Sequence, residues 1–301
     1  MLATAVTSYV EVRRAAGFGF RSPALALQSF ARFSAARGES HIRAPIALEW
    51  AALARSMSQR ARRLGDVIRL ARYLRAEDIR HEVPPPVFGS EKRSRPAPYI
   101  LAPHQIRQLV LAASRSGYRT LRRDTYSTFF ALLACTGLRV SEAIRLRLDD
   151  LTPDGLVIRC SKFRKSRLVP LHDTARAGLE RYLQRRLAYA PAEPQLFVSL
   201  RRKPLLIEDV EVAFRTAARA AGLPATPRAR PTPHSLRHTF AVRALQACPD
   251  GRDAITRHML ALSTYLGHAK VADTYWYLEA VPELMTDIAD RCERFVMGGR
   301  R

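Results

Sequence analysis

Apolar residues recur at helical spacing through most of this chain and switch to a strand-like period in one region only. In residues 24–30 (ALALQSF) and 46–50 (IALEW) they fall at i, i+3 and i+4, which predicts two amphipathic helices. Residues 60–75 predict a third. Leu64, Val67, Ile68, Ala71 and Leu74 form its apolar stripe, and its other face carries Arg62, Arg63, Arg69, Arg72 and Arg75. The pattern breaks at residues 84–98 (PPPVFGSEKRSRPAP). Prolines there block helix and the charged middle resists burial, so this stretch reads as an interdomain linker.

Past the linker, Ala102-Pro-His-Gln opens a helix that runs to about residue 113. An apolar helix over 124–135 ends at Thr136-Gly137, where glycine supplies a stop, and another begins at Arg139 or Val140. Then the period changes. Residues 156–160 (LVIRC) and 167–171 (RLVPL) are short β-branched runs around a basic turn, SKFRKS, which predicts an antiparallel hairpin. Helices resume at Thr174 and continue to a last one over 282–295, striped by Leu284, Ile288, Cys292 and Phe295. The expected fold is mainly α with a small antiparallel β-sheet. It has a helical N-terminal domain (1–83), a linker (84–98) and a C-terminal domain (99–301), and 301 residues suffice for two cores.

Charge adds the first hint of function. The net charge is +23, from 50 Lys+Arg against 27 Asp+Glu, and the basic residues are almost all arginine. Guanidinium pairs with phosphate through two N–H groups at once, so nucleic acid becomes the leading partner. A GC-rich genome would also enrich arginine, so composition alone decides nothing. The four cysteines are widely spaced with no CxxC pair, which speaks against a zinc module and predicts buried, reduced thiols. The N-terminal MLATAVTSYVEVRR lacks the apolar core of a signal peptide, and no apolar run is long enough for a bilayer. A cytoplasmic location and no membrane partner are expected.

The candidate chemistry starts at residues 234–240, HSLRHTF. Thr232-Pro233 ahead of it signals a helix start, which places His234, Arg237 and His238 on neighbouring turns of one face. Two histidines at i, i+4 resemble half of a zinc site. The glutamate of such a helix is here Ser235, however, and no third ligand follows at a usual spacing. Phosphate binding and an ordinary polar face remain open. Three other stretches bear on the choice. In Thr136-Gly-Leu-Arg-Val-Ser-Glu-Ala, Arg139 stands at a helix start and Glu142 is spaced to orient it, or merely to form a common surface ion pair. Lys162 sits in the hairpin turn. Leu266-Gly-His268 is followed nine residues later by Tyr277.

Taken in order, TGLRVSEA, SKFRKSRLVPL, HSLRHTFA and LGH with a tyrosine nine residues on resemble the tyrosine recombinase (phage integrase) family. The resemblance spans residues 99–301. It implies an N-terminal core-binding domain ahead of a catalytic domain, with no further N-terminal arm-binding domain. It also implies an enzyme that cuts and rejoins DNA through a covalent 3′-phosphotyrosyl intermediate, without ATP, metal or other cofactor. Carried onto this sequence, Arg139, Lys162, His234, Arg237 and His268 are the implied catalytic set and Tyr277 the nucleophile. His234 would accept the tyrosine proton and Lys162 would protonate the leaving oxygen. Glu142 would support Arg139, and His238 would pack beside the catalytic residues or support one of them. The hairpin departs from the family's Gly-Lys-Gly: Ser161-Lys162-Phe163 is stiffer, which leaves Lys165 as a second candidate for Lys162's role. Tyr275 competes with Tyr277. On a helix the two point about 160° apart, so only one can face the arginines. Residues 274–285 (TYWYLEAVPELM) are also similar to recombinases of trio-type mobile elements.

Further implications are a homo- or hetero-tetramer on double-stranded DNA, two domains closing on the duplex like a C-shaped clamp, and a last helix docking on a neighbour. DNA contacts are expected from Arg62, Arg69 and Arg72 on the first domain and from Arg164 and Lys165 in the hairpin. Integration, excision or transposition of a mobile element is the expected setting. The competing readings are a topoisomerase with the same residues and an accessory DNA-binding protein without chemistry.

Overall fold

The computed structural model describes residues 2–89, 97–115, 121–159, 166–225, 230–248, 252–268, 270–280 and Glu293. Cys160, Lys162, Arg164, Lys165, Cys292, most of the 282–295 segment and the middle of the 84–98 stretch lie outside them. The chain divides into two compact units, Met1–Ser94 and Arg95–Arg301.

The first unit holds α1 (Leu2–Ala15), α2 (Arg21–Ala35), α3 (Ala44–Ala52) and α4 (Met57–Leu74). Its core gathers Val6 and Tyr9 from α1, Leu27 and Phe30 from α2, Trp50 from α3, and Leu64, Val67, Leu70 and Leu74 from α4. Two points depart from the sequence reading. The first is α1, a helix the sequence pattern does not announce: of its residues only Leu2, Val6, Tyr9 and Val10 are buried, too sparse a stripe to stand out. The second is the α4 stripe. Leu70 is fully buried, whereas Ile68 is only half-buried, and Asp66 is buried and holds Arg69. Arg62, Arg69 and Arg72 all stand exposed, and Arg69 is in addition an ion-pair partner within its own helix.

The second unit continues with α5 (Pro103–Arg115), α6 (Leu121–Thr136), α7 (Val140–Arg145) and three strands, β1 (Leu151–Thr152), β2 (Gly155–Ile158) and β3 (Arg167–Val169). It ends with α8 (Asp173–Tyr189), α9 (Ile207–Ala220), α10 (Pro233–Gln246), α11 (Arg252–Leu266) and α12 (Ala272–Ala280). Helix α6 is its centre, packing on α5, α8, α9 and α10. Its Phe129 and Phe130 meet Phe197 and Phe214 edge-to-face, at ring separations of 5.0 and 5.3 Å. An element apolar on so many sides must lie inside.

The sheet is antiparallel in the order β1-β2-β3, with Leu156 opposite Val169 and Ile158 opposite Arg167. The hairpin matches the expectation. Strand β1 is an addition, because two residues carry no alternation to read. Both described cysteines overturn the expectation of buried thiols: Cys135 is exposed and Cys248 half-buried. No described helix is long and apolar enough to cross a membrane.

Candidate active site

The site forms where the ends of α6 and α11 meet the starts of α7 and α10. Helix α6 stops because Gly137 takes φ +61, a left-handed conformation that a side chain resists. A Cβ there would also meet Phe240 Cδ1 at 2.5 Å. Glycine thus lets the chain turn tightly into Arg139 while Phe240 of α10 packs close. Gly137→Ala should lower stability by about 2–4 kcal/mol, from the left-handed penalty plus overpacking. A thermal midpoint unchanged from wild type would refute this account.

Arg139 caps α7. Its backbone N–H donates to Glu142 Oε2 at 3.0 Å, Nη1 donates to Glu142 Oε1 at 2.7 Å, and Nη2 donates to the Gly267 carbonyl at 2.8 Å. The spacing argument for Glu142 is met, but the pair is no ordinary surface ion pair, because Glu142 is only 4% exposed. A third partner is one that sequence reasoning missed. Arg167, the first residue of β3, donates to both Glu142 oxygens at 3.2 and 2.9 Å, and from Nε to the Tyr265 carbonyl at 2.7 Å. It pins the strand leaving the basic hairpin to the site. The only sequence hint is a charged residue heading an apolar run.

Arg237, one turn into α10, is 2% exposed. Nη1 donates to the Gly137 carbonyl at 2.6 Å and Nη2 to the Leu266 carbonyl at 2.7 Å, so it joins the ends of α6 and α11. Burial and the neighbouring Arg139 lower its pKa to about 10, which leaves it charged at neutral pH. The start of α10 follows the Thr-Pro signal, but the serine closes it: Ser235 Oγ accepts the Thr232 N–H at 3.0 Å. Three guanidiniums face one carboxylate here, an uncompensated positive excess suited to an anion.

The carboxylate itself is held low. Burial pushes Glu142 up, but the hydrogen bonds and charge of Arg167, with those of Arg139, bring it to about 2. A carboxylate depressed in the folded state contributes its full stability above its unfolded pKa, near 4.5, and loses it as pH falls towards about 2. Glu142→Gln should therefore be less stable than wild type at pH 7 by on the order of 2 kcal/mol. That gap should close between pH 4.5 and 2. Urea midpoints across this range test it, and a gap constant with pH would sink the argument.

His268 and Tyr277 complete the cluster. His268 Nδ1 and Thr274 Oγ1 hydrogen-bond at 2.7 Å, and burial together with Arg237 and Arg139 lowers this imidazole to about 4. Its ring lies nearly parallel to that of Tyr277, 6.3 Å away. Tyr277, on α12, is 3% exposed and packs with Val242, Leu262 and Leu266, whereas Tyr275 is 51% exposed. The opposed directions expected of these two tyrosines are seen. The Tyr277 hydroxyl hydrogen-bonds His238 Nδ1 at 3.0 Å. The expectation gives that contact to His234 and leaves His238 to pack beside or support the catalytic residues. The structure instead brings the i+4 histidine, one turn further along α10, to the tyrosine. His234 is exposed, and its ring meets the His238 ring at 4.4 Å. Desolvation, then the charges of Arg237 and Arg139, pushes its pKa down.

The zinc reading of HSLRH gains nothing from this geometry. Among the described residues, the His/Asp group close enough to share an ion is His41, Asp78 and His81, in the first unit. There His81 Nδ1 accepts the Ile42 N–H at 3.1 Å, which puts its ring proton on Nε2. His41 and Arg80 occupy the Asp78 carboxylate. Hydrogen bonds fill that set.

The sequence signature of the phage integrase family matches residues 100–283, more than half the chain and all of the cluster just described. The chain belongs to this family. An integrase/recombinase of Sinorhizobium fredii, y4rB, is 39% identical over 302 residues, covering 96% of each chain. Tyrosine recombinase XerD of Caulobacter vibrioides is 34% identical over 242 residues, 76% of this chain and 72% of that one. In fold, the chain is similar to the XerH site-specific recombinase bound to palindromic difH substrate in a post-cleavage complex. The TM-score is 0.66 at 18% identity, over 97% of this chain and 85% of that one. As a phage integrase family member of the tyrosine recombinase kind, it is an enzyme of DNA strand cleavage and religation. Neither the topoisomerase nor the accessory-protein reading is favoured by these relatives.

Proposed function

We propose that this protein is the site-specific recombinase of a mobile element, exchanging strands of duplex DNA in the cytoplasm with Tyr277 as nucleophile. The observation that carries the reading is the meeting of Arg139, Arg237, His268 and Tyr277, from separate elements, around one anion-ready point. Tyr277 Oη attacks the scissile phosphorus. A 3′-phosphotyrosyl bond forms, the bond from phosphorus to the 5′-oxygen breaks, and the energy of the ester is kept for rejoining. The tyrosine proton leaves towards His234, one turn earlier on α10 than His238, and Lys162 of the hairpin protonates the 5′-oxygen, with Lys165 the alternative. Arg139 and Arg237 clamp the non-bridging oxygens as their charge grows, His268 adds a hydrogen bond, and Glu142 holds Arg139 in place.

Arg62 and Arg72 of the first unit, with Arg164 and Lys165, neutralise backbone phosphates along the duplex. Arg69, already paired with Asp66, contributes less. Each protomer supplies one tyrosine and cuts one strand, and exchange between two duplexes needs four cuts, so four protomers assemble on the DNA. The test is covalent trapping. Incubated with nicked duplexes spanning the ends of its native element and then denatured, the wild-type protein should remain attached to DNA. Tight, salt-sensitive binding with no adduct would return the accessory-protein reading.

A further inference from the structure

We infer that His238 is a positioning residue for strand cleavage, its Nδ1 holding the Tyr277 hydroxyl on the helix that carries Arg237. This rests on Tyr277 being the nucleophile. A tyrosine oxygen lies at the end of two side-chain torsions, and Tyr277 sits on α12, a helix of nine residues. Packing on Trp276 at 5.0 Å and near-parallel contact with His268 at 6.3 Å restrain its ring. The hydroxyl is tied by the 3.0 Å bond to His238 Nδ1.

His238 is in turn well held. The Trp276 ring lies 5.5 Å from its own and the His234 ring 4.4 Å, on the face of a fourteen-residue helix. It directly follows Arg237, whose guanidinium is bonded to the ends of α6 and α11. One helix therefore fixes both the cation that would grip the phosphate and the acceptor that holds the attacking oxygen. Such a device keeps the separation of oxygen and phosphorus short and constant, and errors of about 1 Å in it can lower a rate by 10²-fold.

The protonation state agrees. An Nδ1 that accepts must leave the ring proton on Nε2, so the imidazole has to be neutral. Burial, then His234 and Arg237, lowers His238 to about 3, which keeps it neutral at neutral pH. A base so weak in this state is suited to holding the hydroxyl in place.

The test separates this role from packing. Asn places its side-chain carbonyl oxygen at the δ position and can still accept from Tyr277. Gln carries the same amide one bond further out, and Leu has no acceptor. At saturating protein on a nicked duplex, His238→Leu and His238→Gln should form the covalent adduct about 10²-fold more slowly than wild type. His238→Asn should stay within roughly fivefold of wild type, the scale of one hydrogen bond. DNA affinity and thermal midpoint should be nearly the same for all four proteins. Wild-type rates from His238→Leu would overturn the inference, as would His238→Asn falling as far as His238→Leu. Tyr277→Phe runs alongside: an adduct surviving that change would remove the nucleophile assignment itself, a failure distinguishable from that of His238.

Discussion

Tyr277→Phe will bind its DNA as wild type does and form no covalent adduct, while Tyr275→Phe will cleave at close to the wild-type rate. The two tyrosines are two residues apart on α12 and differ in almost every physical respect. Tyr277 is 3% exposed, stacked beside His268, and hydrogen-bonded to His238. Tyr275 is 51% exposed, on the far side of the helix. Removing one hydroxyl leaves the apolar body of the ring in place, so the cost to stability should be near that of a single hydrogen bond, about 1 kcal/mol. The loss of chemistry, by contrast, is total, because phenylalanine has no atom that can form the ester. The experiment is a denaturing gel of protein trapped on nicked duplex, with filter binding as the control. An adduct from Tyr277→Phe, or its loss from Tyr275→Phe, would move the nucleophile elsewhere.

That the two tyrosines face opposite ways is legible in the sequence alone, since a helix turns by a fixed angle per residue; that Tyr277 is the one facing the site is what the family resemblance implies. Legible in the sequence too are the α6 stop at Gly137, the Thr-Pro entry to α10 and the match of Glu142 to Arg139. All are relations within a few residues, where periodicity and capping rules apply. What escapes a reading of the sequence are relations across the chain. The Arg237 guanidinium meets the carbonyl of a residue 100 positions earlier, and Arg167 meets a carboxylate 25 positions earlier. A backbone carbonyl is present at every residue, so composition says nothing about which one an arginine will find. His238 shows the limit most plainly. Spacing puts two histidines on one face of α10 but does not say which will meet α12, because that depends on how two helices cross. The exposed Cys135 has the same origin: helical phase alone does not say which side of α6 its neighbours cover.

Arg237→Lys should lower the rate of adduct formation by roughly 10²–10³-fold while leaving the protein able to bind DNA. Lysine keeps the charge, so long-range attraction to phosphate survives. It loses the planar fork, and at this position the fork has two tasks. Two of the five N–H groups of a guanidinium go to the Gly137 and Leu266 carbonyls, at 2.6 and 2.7 Å, and the others remain to meet an anion. A single ammonium on a flexible stem cannot span two carbonyls on different elements and also present a bidentate edge to a phosphate. The carbonyl that ends α6 or the one that ends α11 would lose its partner in a place almost closed to water. The thermal midpoint should therefore fall as well, by the equivalent of about 1–3 kcal/mol for one buried acceptor left unpaired. Single-turnover cleavage at saturating protein separates the two consequences. If the rate loss were only that of the unfolded fraction, it would vanish on cooling well below the midpoint. If the fork acts on the phosphate, it would persist undiminished, and an Arg237→Lys protein that cleaves normally when cold would show that this guanidinium does no more than staple α6 to α11.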